Sequence, residues 1–265
     1  MIGKYKIIDF HCHVYPEKIA SKAVAGTDTF YGVVSEHTGT PDDLIAAAPF
    51  IDRFVIHSVA TVPAQVGKIN RYLAAEAEAN DRFIAFGTLH PASDDIEGDV
   101  HDLVSLGLKG VKMHPDIQRF KADDHRALKI YGLCEKLRLP VLLHTGDSRY
   151  DYSNPNRIRP ICEIYTDLTL VGAHFGGYMM WEKASRELCG LDSLYVDCSS
   201  SLMYNDAGTA REMIRRYGAD RVLFGTDYPM HDPEKEAKRL LSLGLTDDEY
   251  EMIFYDNAAR LLGIQ

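Results

Sequence analysis

The chain has no long apolar run, no excess of positive charge and no paired cysteines, and each absence excludes a class of protein. No stretch approaches the roughly 18–20 apolar residues of a membrane helix. Met1-Ile2-Gly3-Lys4-Tyr5-Lys6 leads straight into a strand carrying charged residues, which is not the pattern of a signal peptide. The five cysteines (Cys12, Cys134, Cys162, Cys189 and Cys198) are odd in number and scattered, so a disulfide framework is not expected. A reducing compartment fits best, and the cytoplasm is the expected location. A formal net charge of −10 argues against a nucleic-acid surface, which usually shows a basic patch. Also missing are a Gly-x-Gly-x-x-Gly after a strand and a phosphate loop ending in Gly-Lys-Ser/Thr, the usual marks of an open nucleotide-binding sheet. Internal repeats, low-complexity tracts and linkers are absent too, so residues 1–265 read as a single domain.

What is present is alternation. With 46% hydrophobic content in 265 residues the chain can bury a large core. Short runs rich in Val, Ile, Leu and Phe predict strands near 6–14, 53–60, 83–90, 109–114, 139–145, 169–175, 194–200 and 221–228. Amphipathic stretches between them predict helices at Val66–Asn80, Asp94–Leu106, Asp123–Leu137, Arg159–Leu168, Ala207–Tyr217 and Pro233–Leu243. Apolar strands separated by helices imply parallel pairing covered on both faces. Eight such units predict an α/β fold, a (β/α)8 TIM barrel. An extra C-terminal helix is opened by the capping-box pattern Thr246-Asp247-Asp248-Glu249 and should end near Gly263. It is expected against the barrel exterior. The irregular stretch from Tyr15 to Asp52 should hold two short helices, the second begun by Thr40-Pro41-Asp42-Asp43.

The chemistry concentrates at strand ends. Ile7-Ile8-Asp9-Phe10-His11-Cys12-His13 is an apolar strand closing on two histidines one residue apart. Alternation puts both imidazoles on one face, with Asp9 below them, so a single rigid strand can offer two donors to one metal ion. Later runs end in His144 (Val141-Leu142-Leu143-His144), His174 (Leu170-Val171-Gly172-Ala173-His174) and Asp227 (Phe224-Gly225-Thr226-Asp227). Seven of the eleven histidines, at 11, 13, 57, 90, 114, 144 and 174, fall at predicted strand ends, where a parallel barrel places its active site. A lone strand-end histidine can simply bond a backbone carbonyl, and His57 reads that way. His90 and His114 each precede a proline and suit a turn. Two imidazoles on one face are not explained by packing, and a buried strand-end carboxylate such as Asp227 needs a cation or donors to offset its desolvation. Glycines follow His144 and His174 and permit close approach of substrate or backbone.

Taken together, the Asp-x-His-x-His start, the single later histidines and Gly225-Thr226-Asp227-Tyr228-Pro229 resemble the amidohydrolase superfamily. More narrowly, they resemble its metal-dependent hydrolase branch that also contains aminocarboxymuconate-semialdehyde decarboxylase. The resemblance runs from His11 to Asp227. It implies His11, His13 and His144 as metal ligands, with Asp227 on the metal or its bound water and His174 as catalytic acid/base or second-metal ligand. Some members bridge two metals with a carboxylated lysine from the fourth strand. Here that position is Lys112, on the same face as His114 by alternation, and a cationic Lys112 pairing with Asp9 or a substrate carboxylate is the reading preferred.

Histidine and carboxylate ligands suit zinc, with manganese or iron compatible with a mixed nitrogen and oxygen set. The expected activity is hydrolysis of a small carbonyl substrate (amide, lactone or ester) by metal-activated water, with Asp227 and His174 as catalytic residues. Nonoxidative decarboxylation of a small carboxylic acid is the alternative. A TatD-type nuclease would need a glutamate in a Gly-Glu-Ile-Gly context where this chain has Gly110-Val111-Lys112, and a non-catalytic binding barrel would not need both His174 and Asp227. Substrate contacts are expected from Lys112, His114 and Arg149, the last in the loop Asp147-Ser148-Arg149-Tyr150-Asp151-Tyr152 and able to fork onto a carboxylate. Met179, Met180 and Trp181 offer an apolar wall or a subunit contact. The expected partner is a small molecule carrying a carboxylate, and a homodimer is compatible.

Overall fold

The computed structural model describes residues 2–264. Eight parallel strands form the barrel: β1 (Ile8–His13), β2 (Arg53–His57), β3 in two segments (Phe83–Ala85 and Gly87–Thr88), β4 (Val111–Met113), β5 (Val141–Leu143), β6 (Leu170–Gly172), β7 (Leu194–Asp197) and β8 (Val222–Leu223). The first segment of β3 pairs with β2 and the second with β4. Phe86, between them, donates its N–H to the Ile56 carbonyl, so the strand is continuous through the break. At the other seam β1 meets β8: Phe10 N–H donates to Phe224 O at 2.9 Å, Asp227 N–H to His11 O at 2.9 Å and His13 N–H to Tyr228 O at 2.7 Å. These bonds close the ring.

Each strand lies inside its predicted run, because continuous apolar stretches are what a strand buried on both faces requires. The floor of the barrel is filled by Ile8, Phe10, Val55, Phe86, Leu142, Val171 and Leu223, with Phe10 and Phe86 edge-to-face at 5.5 Å.

The helices are α1 (Glu17–Tyr31), α2 (Pro41–Ala47), α3 (Val66–Ala79), α4 (Ile96–Ser105), α5 (Pro115–Gln118), α6 (His125–Leu137), α7 (Pro155–Ile164), α8 (Trp181–Leu188), α9 (Ala207–Tyr217), α10 (Pro233–Leu241), α11 (Asp247–Glu251) and α12 (Asn257–Leu262). Several differ from expectation, among them the short α5, where no helix was expected. The first, α1, is a full 15 residues rather than a short turn. Helix α7 starts earlier than predicted, at Pro155, whose fixed φ suits the first helical position. Helix α8 was not anticipated, and it completes the unit between β6 and β7. The terminal helix has the expected capping box, with Glu249 N–H donating to Thr246 Oγ1 and Thr246 N–H to Glu249 Oε2. However, it is interrupted by a π turn at Met252–Asp256, and Ala258 and Ala259 of α12 join the apolar cluster of the barrel floor rather than the outer wall. It plugs the end opposite the histidines. No helix among the described residues is long and apolar enough to cross a membrane.

Candidate active site

The site is organised by an irregularity in β1. Asp9 pairs with Phe54 and Cys12 with Ile56, so β1 carries one extra residue against β2. Phe10 therefore joins the floor while His11 and His13 still face the mouth. Asp9 is not beneath them as a partner: its carboxylate accepts from Thr226 Oγ1 at 2.6 Å, Thr226 N–H at 3.0 Å and His11 N–H at 3.1 Å. It is a brace across the β1–β8 seam, and burial pushes its pKa up to about 6.

The group that orients His11 is Asp197, at the end of β7. Its Oδ2 lies 2.8 Å from His11 Nδ1, both groups fully buried. A carboxylate accepts, so His11 Nδ1 carries the proton and Nε2 keeps its lone pair. Burial and Lys112 lower the His11 pKa to about 4. Burial alone would raise Asp197, but His11, His174 and Ser199 hold it well below the usual carboxylate range.

Three donors then meet. His11 Nε2 is 3.3 Å from His13 Nε2 and 3.3 Å from Asp227 Oδ1, and His13 Nε2 is 3.4 Å from that same oxygen. Burial lowers the His13 pKa, while Asp227 is held far below its ordinary value by His11, His13 and His174 against the opposing effect of burial. A metal with ligand distances of about 2.0–2.2 Å spaces its ligands about 3.0–3.5 Å apart. The triangle of neutral imidazoles and ionised carboxylate therefore fits a divalent cation in both size and chemistry.

His174 extends the group. One of its ring nitrogens lies within 4.8 Å of donor atoms of His11 and Asp227. His144 stands behind it, Nδ1 3.1 Å from His174 Nε2. The Gly146 carbonyl, 3.0 Å from His144 Nε2, can only accept, so His144 donates there, and likewise His174 Nδ1 donates to the Ser199 carbonyl at 3.0 Å. The donors thus group around His174, whereas the resemblance implied His144. The loops after β5 and β6 touch backbone to backbone: a Cβ on Gly146 would lie 2.5 Å from Gly177 Cα, and Gly146 has φ +75°. The glycine after His144 serves loop contact as well as ring placement.

The remaining predicted residues fall out as follows. Lys112 is buried with its Nζ 3.0 Å from His11 Nε2, not paired with Asp9 and not on the cavity lining. Burial brings its pKa down to about 8. His114 does line the cavity, stacked on His144 at 3.8 Å; it accepts Ile117 N–H at Nδ1 as the cap of α5 and faces Tyr31 Oη at 2.7 Å. Arg149 does not face the cavity. Its guanidinium forks onto Asp147, reaches the Phe30 carbonyl and stacks over Phe30 at 4.7 Å, tying the loop after β5 to α1. Met179 is exposed, and Trp181 stacks on Tyr204 at 5.6 Å, away from the cavity.

His57 departs from expectation. Neither of its ring nitrogens has a partner among the described residues, and its ring meets His13 edge-on at 4.4 Å. It groups with His11 and His13, a set of donors that could hold a metal ion, and not with a carbonyl.

Three groups escaped the sequence reading. Asp197 lay inside the predicted strand 194–200, a single acid after an ordinary apolar run, and the observed strand ends on it. Ser200 donates to Asp227 Oδ2, and His231 Nε2 lies 3.1 Å from Ser200 Oγ, so a hydrogen-bonded chain leads away from the carboxylate. Tyr31, on α1, closes the cavity over His114 and His144.

This clustering of strand-end donors coincides with a whole-chain sequence match. The amidohydrolase family pattern covers residues 8–264. The chain belongs to the amidohydrolase family. Solved structures similar to this amidohydrolase include an uncharacterised TIM-barrel protein from Bordetella bronchiseptica, 25% identical with a TM-score of 0.80, covering 97% of this chain and 98% of that one. A dihydroxybenzoic acid decarboxylase from Polaromonas sp. JS666, with bound manganese and the inhibitor 2-nitroresorcinol, is 14% identical with a TM-score of 0.73 over 98% of this chain and 97% of that one. A candidate 2-pyrone-4,6-dicarboxylic acid hydrolase from Acinetobacter baumannii, with citric acid bound, is 16% identical with a TM-score of 0.71 over 98% of this chain and all of that one. These neighbours share the fold of this amidohydrolase and differ from one another in reaction.

Proposed function

We propose that this amidohydrolase is a metal-dependent hydrolase acting on an amide, lactone or ester. The observation that carries the reading is the Asp227 carboxylate, held ionised 3.3–3.4 Å from two neutral imidazole nitrogens at the base of a cavity. His11, His13 and Asp227 would hold one divalent ion, zinc or manganese, with one imidazole of the His144–His174 pair as fourth donor and the other as proton carrier. When bound, the ion supplies Lewis acidity to a carbonyl oxygen and makes hydroxide available near neutral pH.

The residues supply the rest. Asp227 accepts the proton lost by water, and Ser200, bonded to Oδ2, keeps Oδ1 turned toward the histidines. A proton held between His144 Nδ1 and His174 Nε2, 3.1 Å apart, would be available to the leaving group. Asp197 fixes the tautomer of His11, and Lys112, with its pKa brought down to about 8 by burial, would have to yield its contact with Nε2 to the ion. His114 and Tyr31 form the wall against which a substrate carboxylate or carbonyl would rest.

A second reading, nonoxidative decarboxylation, is favoured by the mostly apolar cavity wall, which destabilises a substrate carboxylate relative to neutral carbon dioxide. It is also the activity named for the Polaromonas neighbour. Turnover in 18O-labelled water separates the two. Hydrolysis puts label into the product, whereas decarboxylation releases carbon dioxide without consuming water. Release of unlabelled product with stoichiometric carbon dioxide would reject the hydrolase.

A further inference from the structure

The cavity above the metal-type donors has a volume of about 610 Å3, within the range of roughly 300–1,000 Å3 that encloses drug-sized ligands. A single-ring acid or a small lactone would leave much of it unfilled. Its outer part is built from α1 and α3. Helix α1 is 15 residues long, yet Ala20 is its only buried residue. Its apolar stripe, Ile19, Ala23 and Phe30, lines the cavity instead of packing on the core, and Ile69 and Tyr72 of α3 also lie on the lining. An apolar helix face turned toward open space rather than a core marks an apolar ligand. Two cations stand on the same lining, Lys22 and Lys68, both exposed, and neither forms an ion pair among the described residues.

We propose that the substrate is amphipathic: its reacting carbonyl sits at the His11–His13–Asp227 end, an extended acyl or aryl body fills the chamber under α1, and an anionic group at the far end meets Lys22 and Lys68. This rests on the metal-centre reading above only for which end reacts. The chamber and its cations belong to α1 and α3.

The test uses the metal-loaded protein and calorimetric binding of straight-chain alkanoates from four to ten carbons, together with the matching α,ω-dicarboxylates. Affinity should rise about two- to fourfold per methylene until the chamber is full. A dicarboxylate long enough to span the cavity should bind more tightly than its monocarboxylate, and the double variant Lys22→Gln/Lys68→Gln should erase that difference alone. Gly26→Trp supplies the second arm. Gly26 is on the lining, and a Cβ there meets nothing within 4 Å, so a side chain can be added at this point of the rim without a clash at its Cβ. It should cost the ten-carbon acid at least tenfold in affinity and leave butyrate and metal content unchanged. Affinity independent of chain length, or unaffected by Gly26→Trp, would overturn the apolar body. Equal binding of mono- and dicarboxylates would overturn the anionic end. Failure of the metal-centre reading is separate, showing as protein that takes up no metal.

Discussion

His11 and Asp197 form a fully buried pair, Nδ1 to Oδ2 at 2.8 Å, between strands that lie on either side of β8 in the barrel. The bond leaves the Nε2 lone pair of His11 aimed at His13 and Asp227, and with the His174 and Ser199 N–H groups it satisfies the buried carboxylate.

Replacing Asp197 with Asn keeps the shape but allows the amide to present either a donor or an acceptor to Nδ1. Metal affinity should fall about 10–100-fold, the usual effect of losing a ligand-orienting partner. Competition with a chelator measures it. An unchanged dissociation constant would mean that His11 is not a ligand.

His57 buries two nitrogens without partners, each an uncompensated cost on the order of 1–3 kcal/mol. His57→Phe should hold or raise the melting temperature of metal-free protein while weakening metal retention at least tenfold. A variant less stable without metal and equally good at holding it would make His57 a packing residue only.

Ser200 and His231 should act through Asp227 rather than on substrate. Ser200→Ala frees Oδ2, so kcat should drop about tenfold or more with KM nearly unchanged. His231→Gln, which can still donate to Ser200, should be milder than His231→Leu. Equal damage from both His231 variants, confined to stability, would break the proposed chain.

Glu236 on α10 is buried, with Oε2 unpartnered, and burial pushes its pKa up to about 7 despite Arg239. The folded value lies above the unfolded one, so the native state retains a proton between about pH 4.5 and 7. Its contribution is present below about pH 4.5 and is lost as pH rises through 7. Glu236→Gln should therefore match wild type near pH 4.5 and be more stable above pH 7, by an amount on the order of 3 kcal/mol. Denaturant titration at the two pH values checks the sign, and a gain confined to acid pH would reverse it.

The barrel was legible because each strand is a short continuous apolar run, a pattern with one period and clear ends. The histidines were legible because His11, His13, His144 and His174 interrupt those runs at one rim. Asp197 was not, since a single acid closing Leu194-Tyr195-Val196 looks like any strand terminus until its partner from β1 is known. The extra residue in β1 was equally hidden, and with it the separation of Asp9 from the two histidines, because strict alternation is broken by pairing with β2. Arg149 illustrates the converse. A cation in a polar loop suggested ligand binding, but Asp147, two residues earlier, accepts its fork. The role of α1 depended on tertiary placement: Ile19, Ala23 and Phe30 have ordinary helical spacing, and only the fold shows that they face a cavity.

The most direct measurement is metal content per chain, by elemental analysis of protein purified without chelator or added metal, on wild type and on His144→Ala and His174→Ala. About one equivalent of zinc or manganese is expected in wild type, with the metal lost from whichever single variant removes the fourth donor. Metal-free protein that takes up no zinc, manganese or iron on addition would contradict the metal centre and the reaction built on it.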